Sequence, residues 1–209
     1  LLADCQAAPA APPAPQRSLA RRVAVGGIAT GVAFSAGFGV AAATGVLPQD
    51  FANTFAFWAE EDGVDISTAE RVATVPGPGD LLFTVVTMSG GPGNTVCVAP
   101  MFETPESASG PVPSVFDGGG GSCAPAPSTE LFGSNQGVFA SADETTYWVP
   151  AGEAVRAELR LPDGSFYPTI RVEGNFYGWF PTNSVGDPML IGYAPDDSVV
   201  GEAPISRLR

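Results

Sequence analysis

Read for the spacing of its apolar positions, the chain divides into one long uncharged run followed by many short alternating ones. The long run is Val23 to Val46, 24 residues without a charge. As a helix it spans about 36 Å, enough to cross a hydrocarbon core of about 30 Å. Gly27, Gly31, Ser35 and Gly39 recur every four residues and share one helix face, a small-residue ladder that lets two such helices pack closely. Arg17, Arg21 and Arg22 lie just before the run, and acidic residues begin at Asp50 just after it. That asymmetry predicts a single transmembrane helix with its N-terminal side in the cytoplasm and everything downstream outside. A second reading stays open. Ala41-Ala42-Ala43 fits an A-x-A cleavage site, so the run also reads as a cleavable signal of a secreted or cell-envelope structural protein.

Downstream the period changes to two. Val155, Ala157, Leu159 and Leu161 alternate with Arg156, Glu158 and Arg160, which predicts a half-buried antiparallel strand. Pro162-Asp-Gly-Ser165 turns it back into Phe166–Val172. Similar runs predict strands at Leu81–Met88, Thr95–Phe102, Gly137–Ser141, Thr145–Val149, Phe176–Phe180, Met189–Tyr193 and Val199–Ile205. A short helix is expected near Ser67–Val72, and Pro105–Ser128 reads as one long loop. Phe51, Phe55 and Trp58 fall on one face of a helix, placed either at a membrane interface or as a lid over a sheet. The predicted fold is mainly β: an immunoglobulin-like antiparallel β-sandwich after one N-terminal transmembrane helix. The expected divisions are a Pro/Ala-rich cytoplasmic tail (1–22), the helix (23–46), a juxtamembrane segment (47–80) and the β-sandwich (81–209).

Charge narrows the partners. After Gln49 the chain carries six arginines against 21 acidic residues, a net −15. Such a domain repels nucleic acid, so none is expected to bind. The membrane is the expected partner, with self-association through the helix and an extracytoplasmic protein or small ligand for the outer domain. The chain begins at Leu1 rather than Met, as a fragment or processed product would.

Cysteines sort by compartment. Cys97 and Cys123 both lie in the outer part, where a disulfide persists. A bridge between them would close a loop of about 25 residues and contribute roughly 3 kcal/mol; the alternative is two unpaired thiols, one buried.

The chain has no histidine and, all nine basic residues being arginine, no lysine. Ser-His-Asp and Cys-His catalysis, Schiff bases, P-loops and histidine-held zinc are therefore excluded. Glu60, Glu61, Asp62 and Asp65 cluster without EF-hand spacing, and Asp143-Glu144 and Asp196-Asp197 sit on predicted turns. No catalytic residue, cofactor or metal site is expected. Aromatics crowd the C-terminal half; most belong in a core, while Trp148, Tyr177 and Trp179 are candidates for a ligand platform.

Two segments carry a resemblance. One is Arg21-Arg-Val-Ala-Val-Gly-Gly-Ile with Ala-Ala-Ala-Thr-Gly-Val-Leu-Pro48. The other is Val155–Gly164 with Ile170-Arg-Val-Glu-Gly-Asn-Phe-Tyr-Gly-Trp-Phe-Pro181 and Leu190–Gly201. In these the chain resembles actinobacterial single-pass membrane proteins, often associated with extracytoplasmic-function sigma factors. The resemblance implies an anchored outer β-domain with a binding, sensory or regulatory role and brings no catalytic residue with it.

Overall fold

The computed structural model describes residues 47–206 other than 92 and 119. The predicted tail, the membrane helix, its ladder of Gly27, Gly31, Ser35 and Gly39, and the cleavage site lie outside the described residues. Among the described residues no helix is long and apolar enough to cross a membrane. The protein is mainly β, built from antiparallel sheets.

The first sheet follows helix α1 (Gln49–Glu61) and contains β1 (Val64–Pro76), β2 (Leu82–Gly90), β3 (Thr95–Glu103), β4 (Phe116–Gly118) and β5 (Ser122–Pro125). Its order is β1-β2-β3-β4, with β5 also pairing β3. The second sheet holds β6 (Gly137–Ala140), β7 (Glu144–Pro150), β8 (Arg156–Arg160), β9 (Phe166–Val172), β10 (Asn175–Pro181), β11 (Met189–Tyr193) and β12 (Val199–Pro204). Its order is β12-β11-β8-β9-β10-β7-β6.

An immunoglobulin topology interleaves its strands between two sheets. Here consecutive strands stay in one sheet until it is complete, so the immunoglobulin-like expectation is corrected to two sequential sheets. Their facing surfaces follow from alternation. Phe83 and Val85 of β2 and Val98 and Phe102 of β3 pack against Ile170, Val172, Tyr177 and Trp179 of the second sheet. Strand β10 is buried on both sides, because Phe176 and Phe180 point the other way. There they join Tyr147, Val149, Leu159, Leu190 and Ile205 in a second core that draws the two halves of the seven-stranded sheet together.

The opposite face of the first sheet is covered by α1. Phe51, Phe55 and Trp58 are 0%, 0% and 4% exposed, against Val86, Met88, Cys97 and Met101. The aromatic triad is therefore a lid over a sheet. Segment 47–80 is part of this domain, not a separate juxtamembrane piece. The helix expected near Ser67–Val72 is instead the middle of β1, which pairs with β2 at Val64 and Asp65 and again from Glu70 to Pro76 across two register irregularities. Cross-strand pairing there outweighs weak local helix preference. Likewise Pro105–Ser128 is not one loop: β4 and β5 lie within it and extend β3 on its far side. Pro100, which has no N–H to donate, falls between the stretch of β3 bound by β5 and the stretch bound by β4.

Candidate binding cleft

The break between β4 and β5 opens a cleft at the corner where the first sheet meets β6. Three features of the sequence produce it. Pro100 leaves the far side of β3 without a partner at the one point between β5 and β4. The glycine-rich turn after Asp117 lets the backbone pass where side chains cannot: Gly118 has φ +97°, and Gly121 lies against the carbonyl of Val98 and the ring of Trp58. The short strand β6 then presents Phe139 outward, 42% exposed, while Val138 points into the core.

The cleft is about 120 Å³. Its walls are Pro100 and Phe102 from β3, Asp117 from β4, Phe139 from β6, and Glu144 and Thr146 from β7. Asp117 Oδ1 accepts the amide N–H of Gly118 at 2.7 Å. Glu144 Oε2 accepts the Ser141 hydroxyl at 3.2 Å. The second oxygen of each carboxylate has no protein partner among the described residues, and neither carboxylate forms an ion pair with an arginine there.

Three of the four arginines among the described residues, Arg71, Arg156 and Arg160, are engaged elsewhere, and Arg171 on β9 is exposed and does not line the cleft. Arg71 pairs with Glu103, whose side chain is fully buried, at 2.8 Å. Glu103 also accepts the hydroxyls of Thr84 at 2.6 Å and Ser107 at 2.9 Å. Arg71 donates further to the carbonyls of Gly110 and Ser107. Ser107 Oγ in turn accepts the N–H of Ser114 at 2.8 Å. This network clamps the loop after β3, and with its lone pairs occupied Ser107 is held as a structural hydroxyl. Arg156 lies 4.0 Å over the Tyr193 ring and pairs with Asp197 and Glu158. Its hydrogen bond to Asp197, with the nearby carboxylates, holds it above its ordinary basicity. Arg160 stacks on Phe166 at 5.1 Å.

Cys97 and Cys123 are directly opposite each other on β3 and β5 and are disulfide-bonded. A carboxylate oxygen of Asp62 lies within 4.8 Å of both sulfurs. With the sulfurs joined, that group offers a metal one carboxylate and no thiolate. Of the platform candidates, Tyr177 and Trp179 are 2% and 5% exposed. Trp179 donates its indole N–H to the Pro76 carbonyl at 3.0 Å. Trp148 is half-buried with its indole against Gly137. Tyr177 and Trp179 are therefore core residues here, and the three rings do not form an open platform. Asp196-Asp197 lie at a turn and Asp143 at a bend, whereas Glu144 opens strand β7 and lines the cleft. Asp117 and Phe139 were not legible as site residues, since nothing local marks two strand edges as neighbours.

No family model matches the chain, and neither a curated protein nor a solved structure matches it.

Proposed function

We propose that this protein is a single-pass membrane protein whose β-domain works outside the cell as a binding or sensory module, not as a catalyst. Residues 23–46 form the anchor, with Arg17, Arg21 and Arg22 on the cytoplasmic side, and the facing sheets form a β-sandwich that presents the cleft. One observation carries this reading. The corner cleft combines an exposed aromatic ring with two carboxylates that, among the described residues, have no cationic partner, whereas Arg71 and Arg156 are committed elsewhere. Such a site suits recognition. Catalysis by histidine or lysine is excluded by composition. The disulfide supports an oxidising compartment.

Two measurements test the reading. A Val185→Cys variant places a thiol at a position 87% exposed. A membrane-impermeant maleimide is expected to label it on intact cells; labelling only after lysis overturns the orientation. A photo-crosslinking residue at position 139 is expected to form an adduct in intact cells that the same residue at 185 does not, and equal or absent adducts overturn the binding role. Signalling through the anchor predicts that Gly31→Ile with Gly39→Ile alters a downstream transcriptional output while insertion is kept. A mature chain starting near Thr44 would make the same domain a secreted envelope protein.

A further inference from the structure

The free strand edges of this fold are unequally guarded. Unpaired edges invite pairing by another chain, and proteins block them with bulges, charges, prolines or extreme shortness. Strand β1 carries two register irregularities along with Asp65, Glu70 and Arg71. Strand β12 has an irregular register, Glu202 and a terminal Pro204. Strand β4 is three residues long and includes Asp117, and β5 ends in Pro125. Strand β6, Gly137-Val-Phe-Ala140, pairs only with β7 among the described residues. Its register is regular, and it has no charge and no proline. This edge, protected by its four-residue length alone, borders the cleft together with β4.

We propose, resting on the binding reading above, that β6 is a strand-addition site for an extended basic segment of a partner protein, with one arginine seated in the cleft. Strand addition takes its affinity from main-chain hydrogen bonds and its specificity from pockets for alternate side chains. The geometry fits that division. Alternation along β6 puts Phe139 on the cleft side, and along β7 it puts Thr146, opposite Phe139 in register, on that side with Glu144. A strand added about 4.8 Å beyond β6 would project every second side chain onto this same face. A cleft of about 120 Å³ holds one side chain, well below the roughly 300 Å³ from which small-molecule pockets start. An arginine there would lay its guanidinium over the Phe139 ring and between Asp117 and Glu144. It supplies a planar cation with donors for the second oxygen of each carboxylate. The domain's net −15 steers a basic segment toward it.

The test uses the full chain in a mild detergent and a labelled capped peptide, Thr-Val-Thr-Arg-Thr-Val-Thr, followed by fluorescence anisotropy. The arginine peptide is expected to bind about ten-fold more tightly than its citrulline counterpart, which keeps shape and loses charge. Asp117→Asn with Glu144→Gln should erase that preference, both being surface positions whose loss leaves the core intact. Peptide N-methylated at the amides that pair with β6 should not bind. Arg160→Ala, on another face, should change nothing. The proposal is overturned by a preference that survives the double substitution, by equal binding of the N-methylated peptide, or by no binding at millimolar peptide. An adduct at position 139 with a second copy of this chain overturns it too. A partner crosslinked at 139 without any arginine preference overturns this inference and leaves the broader binding role standing.

Discussion

Arg71 and Glu103 set the stability of the first sheet's outer face. The Glu103 carboxylate is wholly removed from water and is satisfied by Arg71, Thr84 and Ser107. Removing one member of a buried pair leaves an uncompensated charge, which costs about 3–5 kcal/mol. Arg71→Ala is therefore expected to lower the unfolding free energy measured by denaturant titration by that amount, and a change below about 1 kcal/mol would show the pair to be dispensable. Tyrosine gives a second residue-level prediction. All four tyrosines have pKa values pushed upward: burial is the first cause in each, and carboxylates near Tyr167, Tyr177 and Tyr193 add to it. A raised folded-state pKa means stability is fully present below the unfolded value of about 10 and is lost as pH rises above it. Tyr147 and Tyr177, shifted furthest, should ionise only as the domain unfolds. An alkaline titration in the phenolate absorbance band should then show a late cooperative step coinciding with loss of circular dichroism. Four independent, ordinary titrations would refute it.

Helix α1 is the element whose role the sequence left open. Its three aromatics suit a membrane interface as well as a core, since both reward an apolar stripe. The structure puts Phe55 at 0% exposure between Phe51 and Trp58. Phe55→Ala should cost about 3–5 kcal/mol in urea unfolding followed by near-ultraviolet circular dichroism. An interfacial helix would leave the midpoint unmoved. Legibility varies among the other elements for the same kind of reason. The β8–β9 hairpin was readable because strict alternation and the Asp163-Gly164 turn agree, and Gly164 does take φ +85°. Strand β1 was not, because its bulges break the period. Strands β4 and β5 were hidden by glycine, proline and serine, and they exist because β3 offers an edge for them. The cleft was the least legible feature. Its walls come from residues spread between Pro100 and Thr146, brought together only by the meeting of two sheets.

At the scale of the whole molecule, pH and salt act through two opposed sets of carboxylates. Most of the 22 acidic residues add to self-repulsion, which weakens when salt screens it or acid removes it. Three aspartates behave otherwise. Asp65, Asp163 and Asp196 each accept the backbone N–H of a serine two residues on, at 2.9, 2.9 and 3.1 Å. The bonds to these serines, side-chain first and backbone second, hold all three below the usual carboxylate pKa. A lowered folded-state pKa contributes stability present above the unfolded value of about 3.9 and lost as pH falls through the folded one. Raising salt from about 20 to about 200 mM at neutral pH should therefore raise the Tm. Acidification toward pH 5 should raise it as well, because repulsion fades while the three serine-bonded aspartates stay ionised. Below about pH 4 the sign reverses. Replacing all three by asparagine keeps an acceptor for each serine amide but removes the titration, so the acid limb of the Tm–pH curve should flatten while the salt response persists. If the acid limb is unchanged in that variant, the loss at low pH comes from other carboxylates, and the three Asp-x-Ser turns do not set the acid limit of the fold.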